Sequence, residues 1–154
     1  MSDASGIPEG FEPIQRIKPN TFAALAGPFY WRRLDGGVSV GLRVETRHCN
    51  TRGTCHGGLL ATLADIALGY TCAAAAAAAG KERNFVTIDL SVEYMASTQA
   101  GDWLYSEVKV LNADTRTAAA AGHLLVEGRP VARISANFRL VRSRAPQPAG
   151  TEEI

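Results

Sequence analysis

Few cysteines and almost no net charge are the first constraints that this sequence of 154 residues sets. The three cysteines, Cys49, Cys55 and Cys72, include no CxxC pair, so a disulfide framework is not indicated. Sixteen basic against fifteen acidic residues give a net charge of +1, which supplies no strong field for a polyanion. These shortages predict a protein of a reducing compartment without a nucleic-acid partner.

The first twenty residues lack the apolar segment of a secretory signal, so a cytoplasmic location is expected. The one long apolar stretch, residues 59–79, contains Asp65 and ends in seven alanines. A charge near its middle is costly in lipid, and alanine is barely hydrophobic. The stretch is therefore predicted to be a buried helix, with no membrane partner.

The length suits one domain with a single core. Residues 1–19 are rich in Pro, Gly and charge, and residues 143–154 lack an apolar period, so both ends are expected to be loose. One domain is predicted over residues 20–142. It begins with a short helix after Asn20, and the aromatic stretch FYWRRL that follows the helix is expected to be a connector.

Apolar and polar residues alternate over residues 38–45, which predicts a strand. A long helix is predicted from Gly57 to about Ala78, and four alternating segments follow it. In the first of these, apolar residues at 86, 88, 90, 92 and 94 alternate with a set that begins at Thr87. A sheet with one apolar face needs a cover, and only the long helix can supply it. The sequence therefore predicts an α+β domain whose antiparallel sheet curls around one central helix.

Two glycines, Gly57 and Gly58, open the long helix. Amide groups in the first turn have no partner inside a helix, and the helix dipole adds partial positive charge there. The pair is thus a candidate binding site for an oxyanion. The alternative is that the two glycines only allow close packing against a strand.

Asp65 lies inside the same apolar helix with no Lys or Arg three or four residues away. Such a carboxylate either faces a cavity or is bonded to a group from another element, for example a strand residue. Asp65 is seven residues from Gly58, about 10 Å along the helix axis. A base must lie within roughly 3 Å of the atom it serves. If both residues serve one reaction, they are expected to come from two copies of the chain, in a dimer with two sites.

His56 precedes the helix, where it could donate to a substrate carbonyl, act as an acid, or simply cap the helix. Together with His48, Cys49 and Cys55 it superficially suggests zinc, but the spacing matches no tetrahedral site, so no metal is expected. A Cys–His nucleophile lacks a visible third partner to orient the histidine.

The string N-x5-HGG-x6-D, formed here by Asn50, His56, Gly57, Gly58 and Asp65, resembles the signature of the hotdog thioesterases related to phenylacetic-acid-pathway and human thioesterase-superfamily enzymes. The stretches VTIDLSVEYMAS, GDWLYSEVKVLN and RPVARISANFRLV look like strands of that family as well. The resemblance covers residues 38–142 and implies a hotdog fold.

The resemblance also implies hydrolysis of an aryl- or medium-chain acyl-CoA in a channel between two subunits. In such enzymes the amide at the position of Gly57 polarises the thioester carbonyl, and the carboxylate at Asp65 of the partner attacks it or activates water. Asn50 would orient the water or the carbonyl, and Thr87 would hold the water. No cofactor is implied beyond the CoA of the substrate, and the expected assembly is a homodimer or a tetramer built as a dimer of dimers.

Exposed basic residues near the channel mouth are candidates for contacts with the CoA phosphates, namely Arg47, Arg52, Lys81, Arg83 and Arg116. Two other functions remain open. A hotdog hydratase or dehydratase would want a histidine paired with an acid on the helix, and none follows His56 there. A noncatalytic acyl-CoA-binding protein is opposed only by the presence of Asp65 and Asn50.

Overall fold

The computed structural model describes residues 6–81 and 84–141, so Arg83 and the tail at residues 143–154 lie outside the described part. The described residues form one antiparallel sheet and two α-helices. Their order along the chain is β1 (Glu12–Pro13), α1 (Phe22–Ala26), β2 (Tyr30–Leu34), β3 (Gly37–Arg43), α2 (Gly57–Ala78), β4 (Asn84–Tyr94), β5 (Trp103–Ala113), β6 (Thr117–Val126) and β7 (Arg129–Val141).

The sheet has the strand order β1-β2-β3-β5-β6-β7-β4, and α2 packs against β3, β4, β5, β6 and β7. This arrangement confirms the predicted α+β fold, a sheet wrapped around one long helix. Strand β4 pairs with β7 along one side, and no described strand pairs with its other side. The element that follows the long helix is therefore an edge of the sheet.

The core lies between α2 and the concave face of the sheet. Leu63, Ala67 and Leu68 of α2 are fully buried, as are the facing Leu42 and Leu104. Removing a leucine side chain of this kind from water stabilises the fold by roughly 1.5–3 kcal/mol. By length and composition α2 could cross a membrane. Its apolar residues instead pack in the core of this domain.

Two expectations about the N-terminal part are wrong. The aromatic stretch predicted as a connector is strand β2, whose residues pair with β3 from Tyr30–Gly41 to Leu34–Gly37. Within the segment expected to be loose, Glu12 and Pro13 pair with β2, and Ile14 is buried. Strand β1 is too short to show an alternation, and in β2 the residues Trp31, Arg32 and Arg33 break the apolar–polar period.

Strand β4 departs from the predicted alternation at a β-bulge between Thr87 and Asp89. Strict alternation would place Val86 on the same face as Leu90 and Thr87 on the opposite face. In the structure Leu90 pairs with Ala136 and Thr87 pairs with Phe138, and both pairs lie on the concave face. Val86 is instead 47% exposed. An extra residue in one strand reverses the facing of everything beyond it. The bulge thereby turns the Thr87 side chain towards α2.

Gly122 of β6 yields a stability prediction. A Cβ atom there would lie 2.0 Å from the Glu107 carbonyl oxygen of β5, so Gly122→Ala must push two paired strands apart. We expect a loss of about 1–3 kcal/mol in the free energy of unfolding, measured by denaturant titration at one protein concentration. Gly37→Ala is the matched control, because its nearest atoms would lie at an ordinary 3.6 Å. Equal stability of the two variants would contradict this packing.

Candidate active site

The start of α2 leaves one amide without a partner. His56 is the N-cap, and its Nδ1 accepts from the Gly58 N–H at 2.9 Å. The His56 carbonyl accepts from the Leu59 N–H at 2.9 Å and the Leu60 N–H at 3.4 Å. Among the described residues no acceptor meets the Gly57 N–H. Of the two helix-start amides predicted as oxyanion donors, the Gly57 N–H is thus available, whereas the Gly58 N–H is engaged in the cap.

Tyr94, at the end of β4, contacts the residue that carries this amide. Its hydroxyl donates to the Gly57 carbonyl oxygen at 2.8 Å. A Cβ atom on Gly57 would lie 3.1 Å from the tyrosine ring. The two readings of the glycine pair are therefore compatible: Gly57 allows close packing against a strand residue and also keeps its N–H free. Tyr94 was not among the predicted site residues, and its place at the end of an apolar strand was the only signal for it in the sequence.

A cavity of about 610 Å³ adjoins the helix start. Its lining includes Gly57, Gly58 and His56 from the α2 side and Tyr94 and Met95 from the end of β4. Because Nδ1 of His56 is an acceptor in the cap, the neutral imidazole carries its proton on Nε2. The exposed ring can thus offer a second hydrogen-bond donor beside the free amide of Gly57.

Asp65 is half-buried two turns further along α2. The Thr87 hydroxyl donates to its Oδ1 at 2.6 Å, which is possible only because the bulge turns Thr87 inwards. Among the described residues no Lys, Arg or His forms an ion pair with Asp65, and its Oδ2 has no hydrogen-bond partner. The carboxylate is thus held in place by one hydroxyl and keeps an oxygen available for chemistry.

Within one chain the two halves of the site are far apart. Gly57 and Asp65 are eight residues apart on α2, a distance of about 12 Å along the axis. Their partners on β4 are likewise separated, with Tyr94 beside Gly57 and Thr87 beside Asp65. The structure therefore brings Asp65 together with Thr87, and Gly57 together with His56, Gly58 and Tyr94, but it does not bring the two groups together in one copy.

Asn50 lies in the loop before α2 and is occupied by that loop. Its Oδ1 accepts from the Arg52 N–H at 2.9 Å and the Thr54 N–H at 3.4 Å, and its Nδ2 donates to the Thr54 hydroxyl at 3.0 Å. These bonds shape the approach to the helix. A catalytic role for Asn50 stays a prediction, as does a phosphate contact by Arg83, which lies outside the described residues.

The cysteines and His48 are suited to structure more than to chemistry. Burial raises the pKa of the Cys55 and Cys72 thiols to about 11, so both are protonated at neutral pH. Burial, and next the Arg47 guanidinium, lower the pKa of His48, whose Nδ1 accepts from the Glu45 N–H at 3.0 Å. A protonated thiol is a poor nucleophile and a poor metal ligand.

Comparison with known proteins gives the geometry a context. A model of the thioesterase superfamily matches residues 52–132. A Pseudomonas aeruginosa protein whose name describes it as a candidate esterase is 38% identical over 135 residues, which are 87% of this chain and 97% of that protein. The matched segment contains the start of α2, Asp65, β4 and β5, and therefore both halves of the site.

Solved structures show the same fold. The E. coli PaaI protein from the phenylacetic acid degradation operon is 22% identical, with a TM-score of 0.70 over 80% of this chain and 86% of that one. A Streptococcus pneumoniae thioesterase protein solved with coenzyme A is also 22% identical, with a TM-score of 0.65 over 76% of this chain and 88% of that one. These likenesses confirm the hotdog fold that the motif predicts.

Thiol labelling tests the assignment of the cysteines. At pH 8 a thiol with a pKa of about 11 is ionised in only about one molecule in a thousand. An aromatic disulfide reagent should therefore label one thiol quickly in the native protein, the half-exposed Cys49, and all three after unfolding. Cys49→Ser should abolish the fast phase. Labelling of Cys55 at the rate of Cys49 would contradict the assignment and return Cys55 to the list of nucleophiles.

Proposed function

The chain belongs to the thioesterase superfamily, so thioester hydrolysis is its general activity, and we propose that it hydrolyses acyl-CoA to a free acid and CoA at sites shared by two copies of the chain. The observation that carries this proposal is the pairing of two incomplete groups on one helix. Within the described part of the chain, the Gly57 amide is a donor without an acceptor, and Asp65 is a carboxylate with one free oxygen.

The helix start would bind the thioester carbonyl. When the carbonyl is attacked, negative charge develops on its oxygen, and a preorganised amide at a helix N-terminus stabilises that charge. The peptide that carries the Gly57 N–H is fixed through its His56 carbonyl, which accepts from the Leu59 and Leu60 amides. Tyr94 anchors the next peptide through the Gly57 carbonyl, so little reorganisation accompanies the reaction. The Nε2–H of His56 is placed to be a second donor to the same oxygen.

Asp65 would supply the attack. As a general base it takes a proton from water, which adds to the carbonyl carbon, and the tetrahedral intermediate then expels the CoA thiolate. As a nucleophile it adds to the carbonyl carbon, the tetrahedral intermediate expels the CoA thiolate to leave a mixed anhydride, and water then hydrolyses the anhydride to the free acid and the Asp65 carboxylate. Both routes need an ionised carboxylate in a fixed orientation, which the Thr87 hydroxyl supports. No separate cofactor is required, because a thioester carbonyl is already reactive.

The edge strand suggests how two copies complete each site. Strand β4 presents an unpaired side to solvent, and Val86, Ile88, Tyr94 and Met95 along it are all exposed large apolar residues. Such an edge is suited to pairing with a second copy. A two-fold axis at Ser91 would pair Leu90 with Val92 of the other copy, both on the concave face, and would set Tyr94 opposite Ile88, the extra residue of the bulge next to Thr87.

That pairing would bring Gly57 of one copy towards Asp65 of the other. Tyr94 contacts Gly57 and Thr87 contacts Asp65, so placing Tyr94 opposite the bulge next to Thr87 would bring the two halves of the site towards each other across the axis. A tetramer would then be a dimer of such dimers. The coenzyme A in the Streptococcus pneumoniae structure and the operon of the E. coli protein support an acyl-CoA substrate with an aryl or medium-length chain. A cytoplasmic location stays a prediction.

Asp65→Asn tests the role of the carboxylate. The amide can neither accept the water proton nor attack efficiently, so kcat should fall by about 10²–10⁴-fold while the protein stays folded. The assay is free-thiol release across a panel of aryl- and medium-chain acyl-CoA substrates. Asp35→Asn, the same substitution at an exposed residue in the turn between β2 and β3, should keep full activity. A folded wild type that binds these substrates but hydrolyses none would favour the noncatalytic alternative.

Gly57→Pro and Gly57→Ala together isolate the amide. Gly57 is the first residue of α2, where proline fits a helix, and His56 has the extended backbone (φ −65°, ψ 133°) that a residue before proline requires. Proline removes the N–H, whereas alanine adds the same Cβ atom and keeps it. We expect kcat of the proline variant to fall by a further 10²-fold or so relative to the alanine variant. Equal kcat values would remove the amide from the mechanism.

Mixing the two inactive variants tests the shared site. After subunit exchange of Asp65→Asn with Gly57→Pro in equal amounts, half of the dimers are mixed, and each mixed dimer has one intact site. Activity should therefore recover to about a quarter of the wild-type value. Each variant incubated alone is the control. No recovery, with exchange verified by mass spectrometry of differently tagged chains, would mean that both residues act within one chain.

A further inference from the structure

We propose that a second cavity, between the N-terminal strands and the alanine-rich half of α2, binds an amphipathic monocarboxylate with an alkyl or aryl tail. This cavity, called the alanine cavity below, has a volume of about 570 Å³. Its floor consists of Trp31, Val38, Tyr70, Ala73, Ala74 and Ala77. Its binding does not depend on the proposed hydrolysis, because none of these residues belongs to the site described above.

The cavity exists because α2 has little side-chain bulk at this end. Ala73, Ala74 and Ala77 lie within about one turn of each other and face the strap formed by residues 12–16. Alanine ends at Cβ, so the space between helix and strap stays open. On the other side of the space are the Trp31 side chain of β2 and the buried Val38 of β3. A hydrocarbon tail that moved from water into this space would contact apolar surface on both the helix side and the sheet side.

Positive charge at the rim selects the head group. Arg16 and Arg33 line the cavity and are exposed, and neither forms an ion pair with a described carboxylate. The Arg33 guanidinium lies 5.9 Å from the centre of the Trp31 ring, so the cation is next to the apolar floor. Glu12 is also at the rim, which leaves a net charge of one positive unit. A single carboxylate matches this charge, and arginine binds carboxylates in a bidentate geometry.

Tyr70 adds a polar group inside the cavity. It is half-buried, and its hydroxyl has no hydrogen-bond partner among the described residues. Burial raises the pKa of this hydroxyl, so it remains a neutral donor at physiological pH. The cavity thus combines an apolar floor, one free hydroxyl and two unpaired guanidinium groups, the features of a site for a small amphipathic anion.

The alanine cavity is separate from the proposed active site. At about 100° per residue, Ala74 projects from α2 on the side opposite to Asp65. Strands β2 and β3 lie towards one end of the sheet and β4 forms the other end. A ligand in the alanine cavity would therefore neither touch Asp65 nor occupy the space beside Gly57.

Trp31 offers a local probe. The chain contains two tryptophans, and Trp103→Phe leaves Trp31 as the sole one. The Trp103 indole N–H is buried and has no hydrogen-bond partner in residues 6–81 and 84–141, so phenylalanine loses no polar contact with them. Decanoate titrated into this variant below its micelle concentration should change the Trp31 fluorescence in a saturable way. Acetate, which has no tail, and decylamine, which carries the opposite charge, should produce no saturable change.

Two further variants, made in the Trp103→Phe background, locate the ligand. Ala74→Leu fills the floor, and Arg16→Gln with Arg33→Gln removes the rim charge without touching the core. Each should weaken decanoate binding at least about tenfold, since either the tail or the head group loses its main contact. Circular dichroism verifies folding, and the arginine variant carries the test if Ala74→Leu does not fold. Asp65→Asn should leave decanoate binding unchanged.

Three results would overturn the proposal. The first is the absence of a saturable fluorescence change with decanoate. The second is affinity for decanoate that survives both the filled floor and the neutral rim. The third is loss of the signal in Gly57→Pro or on addition of coenzyme A, which would place the acid in the cavity beside the start of α2.

Discussion

Two side-chain hydrogen bonds from strand β4 to helix α2 hold the candidate site in place. Thr87 donates to the Asp65 carboxylate at 2.6 Å, and Tyr94 donates to the Gly57 carbonyl oxygen at 2.8 Å. An apolar helix packed in a curved sheet has few polar neighbours that could orient a polar group. These two bonds orient Asp65 and the Gly57 carbonyl, which lie two turns apart on α2. The bulge in β4 is what allows one strand to make both contacts from the same face.

Strand β4 is also an edge of the sheet, so the strand that orients the candidate site residues is the one that could pair with a second copy. Its inward side chains order the helix, whereas its free backbone and exposed apolar residues suit a second copy. If β4 were paired on both sides within one chain, no second copy could pair with it, and the Gly57 and Asp65 halves of the site would stay apart. In the proposed dimer, each site would take Gly57 from one copy and Asp65 from the other, so their separation along α2 would not prevent them from serving one reaction.

Much of the architecture could be predicted from residue patterns. The helix at residues 57–78 and the alternating strand β7 were predicted almost to their ends, because long elements with one buried face have strong periodicity. Strand β2 was missed, since aromatic and arginine side chains on a strand that is only half covered break that periodicity. The bulge in β4 was also missed, because a register shift is set by the partner strand β7 and leaves no local mark.

The candidate site was also predictable only in part. The sequence by itself determined which groups are unusual, namely a carboxylate without a nearby cation in an apolar helix and two glycines at a helix start, because these follow from residue type and spacing. Only the tertiary structure decided which amide is free, which hydroxyl holds Asp65 and that Tyr94 matters, because hydrogen bonds between α2 and β4 depend on a register that no single segment encodes.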